Sequence, residues 1–97
     1  MRIAMVIGKT VATMKDERLQ GRKLLLVQYA DPHGKILPGE PFIAVDTVDA
    51  GPGDLVVLTE GSSARQTDTT TNLPVDAIIV AVIDTLETDG KVSFRKA

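Results

Sequence analysis

Residues 77–83, Ala77-Ile78-Ile79-Val80-Ala81-Val82-Ile83, are apolar without a break. That run is too short for a membrane helix of about 20 residues and is rich in β-branched side chains, so it is predicted to be a strand. Successive side chains of a strand point to opposite faces, so this one has no wet side. Leu24-Leu25-Leu26-Val27 and Leu55-Val56-Val57-Leu58 share the property. If Ile79, Ala81 and Ile83 fill a barrel, then Ile78, Val80 and Val82 look outward. Leaving three such residues in water forgoes about 5–9 kcal/mol, comparable with the whole stability of a domain. Something must cover that face. A segment of the same chain is one answer, with residues 91–95 folding back over it. A parallel α/β sheet is another, but the sequence lacks the helices to flank one. Self-association is the third and the expectation adopted. A barrel has unlike flanks, which suits a head-to-tail contact. These arguments lead to a ring or a dimer and do not fix the copy number.

The remaining pattern agrees with an all-β chain. Short β-rich runs are separated by glycine, proline and polar clusters. Strands are predicted over 3–13 with a bulge or bend at Gly8, over 23–29, 42–48, 55–59 and 77–85, and a short last one over 91–95 after Asp89-Gly90. Residues 14–22 are assigned to a loop. The one helix candidate is a single turn at 62–66, with Gly61 freeing the backbone and Ser62 as its cap. With 97 residues, a single domain over 1–97 is expected.

Composition narrows the chemistry. There are no cysteines, which removes disulfides and thiolate metal sites and fits a cytoplasmic address. Eleven Lys and Arg stand against thirteen Asp and Glu, so no global field attracts nucleic acid or anionic lipid. The apolar part of the opening run, residues 3–7, is shorter than the core of a signal peptide. His33, the only histidine, lies between Pro32 and Gly34 and has no nucleophile or orienting partner in a recognisable pattern. It is assigned to a solvated turn. Asp46, Asp49, Asp54 and Glu60 match no metal-loop spacing. Gly51-Pro52-Gly53 is a turn without the residues of a phosphate cradle. Lys15, Arg18, Arg22 and Lys23 form a small basic cluster diluted by Asp16 and Glu17. No cofactor, metal or catalytic group is expected. An OB-fold module for single-stranded nucleic acid or oligosaccharide is the alternative, but such surfaces need aromatic platforms, and the chain has only Tyr29, Phe42 and Phe94.

Several motifs carry a family resemblance. They are Val6-Ile7-Gly8-Lys9-Thr10-Val11-Ala12-Thr13, Leu19-Gln20-Gly21-Arg22-Lys23-Leu24-Leu25-Leu26-Val27-Gln28, Ala44-Val45-Asp46-Thr47-Val48 with Ala50-Gly51-Pro52-Gly53-Asp54-Leu55-Val56, Gly61-Ser62-Ser63-Ala64-Arg65, and Pro74-Val75-Asp76-Ala77-Ile78-Ile79-Val80. In this order and spacing the chain resembles the EutN/CcmL family of bacterial microcompartment vertex proteins along nearly its whole length. Asp49 stands where the family usually has glycine and Asp54 where glutamate is common, which puts local turn geometry in question. The resemblance implies a five-stranded, OB-like barrel with one short helical turn, assembled as a cyclic homopentamer beside hexameric shell proteins. Its implied role is to close the corners of a polyhedral shell in the cytoplasm, without enzymatic activity. Gly61, Ser62, Ser63, Ala64 and Arg65 are candidates for the ring contact or pore, with Ile78, Val80 and Val82 on the outer wall. Arg65 could alternatively reach a neighbour's carboxylate, with Asp46 or Asp76 as partners.

Overall fold

The structure is a computed structural model that describes residues 1–13, 16–61 and 76–97. Seven strands follow in order: β1 (Arg2–Lys9), β2 (Lys23–Tyr29), β3 (Phe42–Asp46), β4 (Leu55–Glu60), β5 (Ala77–Val82), β6 (Thr85–Thr88) and β7 (Lys91–Arg95), with a one-turn 3₁₀ helix at Glu17–Leu19. The first five close into a barrel in the order β1-β2-β3-β5-β4. All neighbours are antiparallel except β3 and β5, which run parallel. This is the expected five-stranded, OB-like arrangement. The short helical turn among the described residues sits in the loop between β1 and β2. The turn predicted at 62–66 lies outside them.

Alternation along the strands sorts the side chains into two sets. Ala4, Val6, Leu25, Val27, Ala44, Ala50, Val56, Leu58, Ala77 and Ile79 meet inside the barrel. Alanines opposite branched residues suit the narrow interior of a small barrel. Two bulges then break the alternation. Between Val6 and Gly8 the register of β1 slips against β2, leaving Ile7 as the extra residue beside Gly8, where a bulge was expected. On β5, Ala81 faces Val57 but Ile79 faces Leu58, so Val80 is the unpaired residue.

Some boundaries differ from the sequence-based ones. β1 stops at Lys9 because only Thr10 N–H continues the ladder, to Leu24 C=O at 3.1 Å. β3 stops at Asp46, where the chain turns. β5 stops at Val82, and β6 pairs with β7 in a hairpin of their own. Asp89 and Gly90 both have positive φ, 53° and 78°, as a two-residue type I′ hairpin turn requires.

The hairpin is fastened to the loop after β2. Ser93 Oγ donates to Pro32 C=O at 2.7 Å. Phe94 packs over Gly34, where an added Cβ would lie 2.7 Å from the ring.

Candidate functional site

The outer wall of the barrel is where a partner would sit, and β5 decides how much of it is available. Ile78 points outward but is 0% exposed, because it packs with Val45 and is flanked by Leu19, Leu24 and Val80. Leu19 belongs to the 3₁₀ turn, so the β1–β2 loop shares with Leu24, Val45 and Val80 in a cover from the same chain, where self-association was the adopted expectation and residues 91–95 one alternative. Val80, on the bulge, is half-buried against the same cluster. Beyond the bulge the phase reverses: Val82 pairs with Val56 and packs on the barrel interior. The expected outward stripe of Ile78, Val80 and Val82 therefore does not exist. One member is sealed by its own chain, one is half-sealed, and one turns inward.

Other apolar side chains remain at the surface. Leu26 pairs with Gly8 on one side and Ile43 on the other; Ile43 is 42% exposed, and Ile7, next to Gly8 on β1, is 40% exposed. Round the barrel, Ile3, Val57 and Ala81 form a second half-buried outward row. These two patches lie on different flanks.

Polar groups close the barrel at both ends. At one end Lys23 Nζ reaches Ala50 C=O at 2.5 Å, Asp49 Oδ1 at 3.2 Å and Asp46 Oδ2 at 3.5 Å. Asp46 is the centre of that turn. Its Oδ1 accepts from Val48 N–H at 3.1 Å and its Oδ2 from Ala50 N–H at 2.9 Å. Asp49 adopts φ 59°, the left-handed backbone that favours glycine. The departure noted in the sequence keeps a glycine-like geometry. Asp54 keeps its turn too, its Oδ2 accepting from Gly51 N–H at 2.9 Å.

At the other end Tyr29 and Phe42 meet as a tilted pair, centroids 4.9 Å apart and planes at 48°, and the Arg2 guanidinium lies 3.7 Å from the centre of the Tyr29 ring. Tyr29 Oη donates to Glu60 Oε2 at 2.5 Å. This bond to a carboxylate, reinforced by desolvation, holds the Tyr29 hydroxyl above its ordinary pKa. Among the described residues, Glu60 Oε1 and Thr59 Oγ1, like Gln28 Oε1 elsewhere, are sealed from solvent without a hydrogen-bond partner. Gly61 follows at φ 63°, and its N–H donates to Asp76 C=O at 2.8 Å. That bond pins the two ends of segment 62–75 together. Ser62, Ser63, Ala64 and Arg65 lie outside the described residues.

The remaining candidates are dispersed. His33 sits in a turn organised by Asp31, whose Oδ1 accepts from His33 N–H at 2.9 Å and Lys35 N–H at 3.0 Å. The Lys35 bond chiefly holds the Asp31 carboxyl below the usual range. Among the described residues no three His, Asp or Glu side chains converge as a metal ion needs; Asp46 and Asp49 share the turn at Lys23, Asp54 holds the turn at Gly51 and Glu60 belongs to the Tyr29 mouth. Of the basic cluster, Arg18 is paired with Asp16 at 2.8 Å and Lys23 with Asp46 and Asp49 at the barrel end. Lys15 lies outside the described residues. The aromatic residues pack inward or on Gly34 and form no stacking row.

Sequence reasoning missed the mouth formed by Arg2, Tyr29, Phe42 and Glu60. The available signal was a charge closing each of two apolar strands, Arg2 before Ile3 and Glu60 after Leu58.

Comparison with known proteins agrees with this architecture. Residues 1–84 match the family model described as ethanolamine utilisation protein EutN/carboxysome. The carboxysome shell vertex protein CcmL of Thermosynechococcus vestitus is 40% identical over 96 residues, 99% of this chain and 96% of that one. The solved structure of Nostoc sp. PCC 7120 CcmL has a TM-score of 0.89 at 41% identity, covering 99% of this chain and 100% of that chain. The GrpN pentameric microcompartment shell protein from Rhodospirillum rubrum has a TM-score of 0.79 at 41% identity, covering 91% of this chain and 99% of that chain. The chain belongs to the EutN/CcmL family.

Proposed function

We propose that this chain is a structural shell protein whose homopentamers cap the vertices of a polyhedral bacterial microcompartment. The observation that carries this reading is the shared barrel, matched over nearly the full length by carboxysome and microcompartment shell vertex proteins. Hexagonal tiles alone make a flat layer, and a ring of five supplies the curvature that closes it. Its place is the shell, within the bacterial cytoplasm. Its neighbours there are hexameric shell proteins, and its work is mechanical closure, with no chemical step assigned to its side chains.

The surfaces left apolar after the protomer folds support a head-to-tail ring. Leu26, Ile43 and Ile7 lie on one flank and Ile3, Val57 and Ala81 on another. Two unlike patches can meet each other around a rotation axis, as a heterologous contact requires. These residues take the place of Ile78 and Val82 as wall contacts. Gly61, Ser62, Ser63, Ala64 and Arg65 remain the candidates for the opening.

Native mass spectrometry tests the reading directly. The expected species contains five protomers, and a protein that stays monomeric at micromolar concentration refutes it. Co-expression with hexameric shell proteins should give closed polyhedra, and omission of this chain should leave their corners open.

A further inference from the structure

The barrel is not fastened equally well all the way round. β1 pairs with β2 over five register positions, β2 with β3 over five, β4 with β5 over five and β1 with β4 over four. Among the described residues β3 and β5 share two, Val45 with Ile78 and Asp46 with Ile79. This seam is also the parallel one, and parallel pairing is slightly weaker per residue. Its ladder ends at Ile79, one residue before Val80, which the bulge leaves without a partner on β4. Side chains take over where the backbone stops. Thr47, the first residue after β3, donates from Oγ1 to Ile79 C=O at 2.8 Å. Ile78 and Val80 on one side of the seam pack with Val45 and Leu24 on the other, and Leu19 of the 3₁₀ turn joins them.

We infer that the β3–β5 seam is where the barrel opens first, and that the Thr47 hydroxyl is the latch that holds it shut. Opening at any other ladder breaks four or five register pairs, and opening here breaks two. The opened form keeps all four antiparallel ladders, as a sheet in the order β3-β2-β1-β4-β5. It is therefore reached with less free energy than global unfolding, as local openings of folded proteins are. Separation uncovers Ile78, which is fully buried, and breaks the Thr47 bond, so side chains set most of its cost. β3 and β5 become the edges, and β5 is apolar from end to end. A free edge of this kind is a template for pairing with another chain, so a closed seam also limits misassembly. The latch lies within one protomer and is independent of the pentamer reading.

The test is residue-resolved amide hydrogen exchange of the full-length protein over a series of sub-denaturing urea concentrations. In the wild type, amides that bridge β3 and β5 should exchange faster than those that bridge β1 and β2. Their exchange should also depend less on urea, because a local opening exposes less surface than global unfolding. Thr47→Val removes the hydroxyl at nearly constant size, and it should speed the seam amides by about two- to tenfold, the equivalent of one neutral hydrogen bond. Thr47→Ser keeps the donor and should leave them at the wild-type rate. Seam amides that share the rate and urea dependence of the β1–β2 amides would overturn the inference, since the barrel would then open only by unfolding as a whole. That wild-type comparison decides the point whether or not Thr47→Val folds. Seam amides that keep the wild-type rate in Thr47→Val, or that accelerate equally in Thr47→Ser, would overturn the role of the hydroxyl.

Discussion

Two aspartates in one turn, three residues apart, should respond in opposite ways to truncation. The Asp46 side chain is 1% exposed and the Asp49 side chain 97%, although Lys23 approaches both. Asp46→Ala removes the acceptors of Val48 and Ala50 N–H, and Ala50 is itself buried. Each is a bond to a charged group worth roughly 1.5–3 kcal/mol, so the loss should be about 3–6 kcal/mol. Asp49→Gly removes only an exposed ion pair, worth about 0.2–1 kcal/mol. It also relieves a side chain held at φ 59°, a relief of about 1 kcal/mol or less for aspartate. The net effect should lie within about 0.5 kcal/mol of zero. Urea unfolding at one fixed protein concentration measures both, because assembly makes stability concentration-dependent. If Asp46→Ala costs under about 1 kcal/mol while Asp49→Gly costs over about 2 kcal/mol, the burial argument assigns the turn to the wrong carboxylate.

Further substitutions probe the wall, the hairpin and the mouth. Ile78→Asp should prevent folding, by placing an unpaired charge in a fully buried site, whereas Val80→Asp should leave a folded protomer weakened by roughly 1–3 kcal/mol; circular dichroism and urea titration distinguish them. Gly34→Ala should loosen the β6–β7 hairpin, since its Cβ meets the Phe94 ring and its φ is 82°. Faster amide exchange over 85–95 with an unchanged barrel is the expected signature. Tyr29 is the only tyrosine, so tyrosinate absorbance titrates that group alone. Its midpoint should lie above the ordinary value of 10.0 and fall back in Glu60→Gln. A raised folded pKa stabilises the protonated form. The contribution is complete below the unfolded pKa and is lost as pH rises through the folded one.

What the sequence disclosed follows from how local each feature is. β2 was legible at both ends, since Lys23–Tyr29 is framed by Gly21 and by Asp31-Pro32. Asp89-Gly90 marked its turn because two positive φ angles need such residues. β6 was not legible: Thr85-Leu86-Glu87-Thr88 is mostly polar and is a strand only because β7 pairs with it. Residues 10–13 have strand-like composition, but the ladder ends near Lys9 and Val11 is left fully exposed. The bulge at Val80 has no sequence mark, since valine fits a regular strand equally well. With it went the correct phase of Val82 and the true cover of Ile78. The Tyr29 mouth brings together residues distant along the chain, which only closure of the barrel reveals.

The error about β5 changes what an apolar strand can be taken to mean. Ile78 is sealed by a loop leucine together with Leu24, Val45 and Val80, so hydrophobicity on both sides of a strand is not by itself a sign of assembly. The more telling feature appears only after folding: apolar rows left on two flanks. The same closure bears on passage through a vertex. Five strands leave room inside for side chains alone, and here ten residues fill it. One end is shut by Lys23, Asp46 and Ala50, the other by Arg2, Tyr29, Phe42 and Glu60. The protomer is a solid tile. Any route across the shell at a vertex must therefore run outside the bore of the barrel.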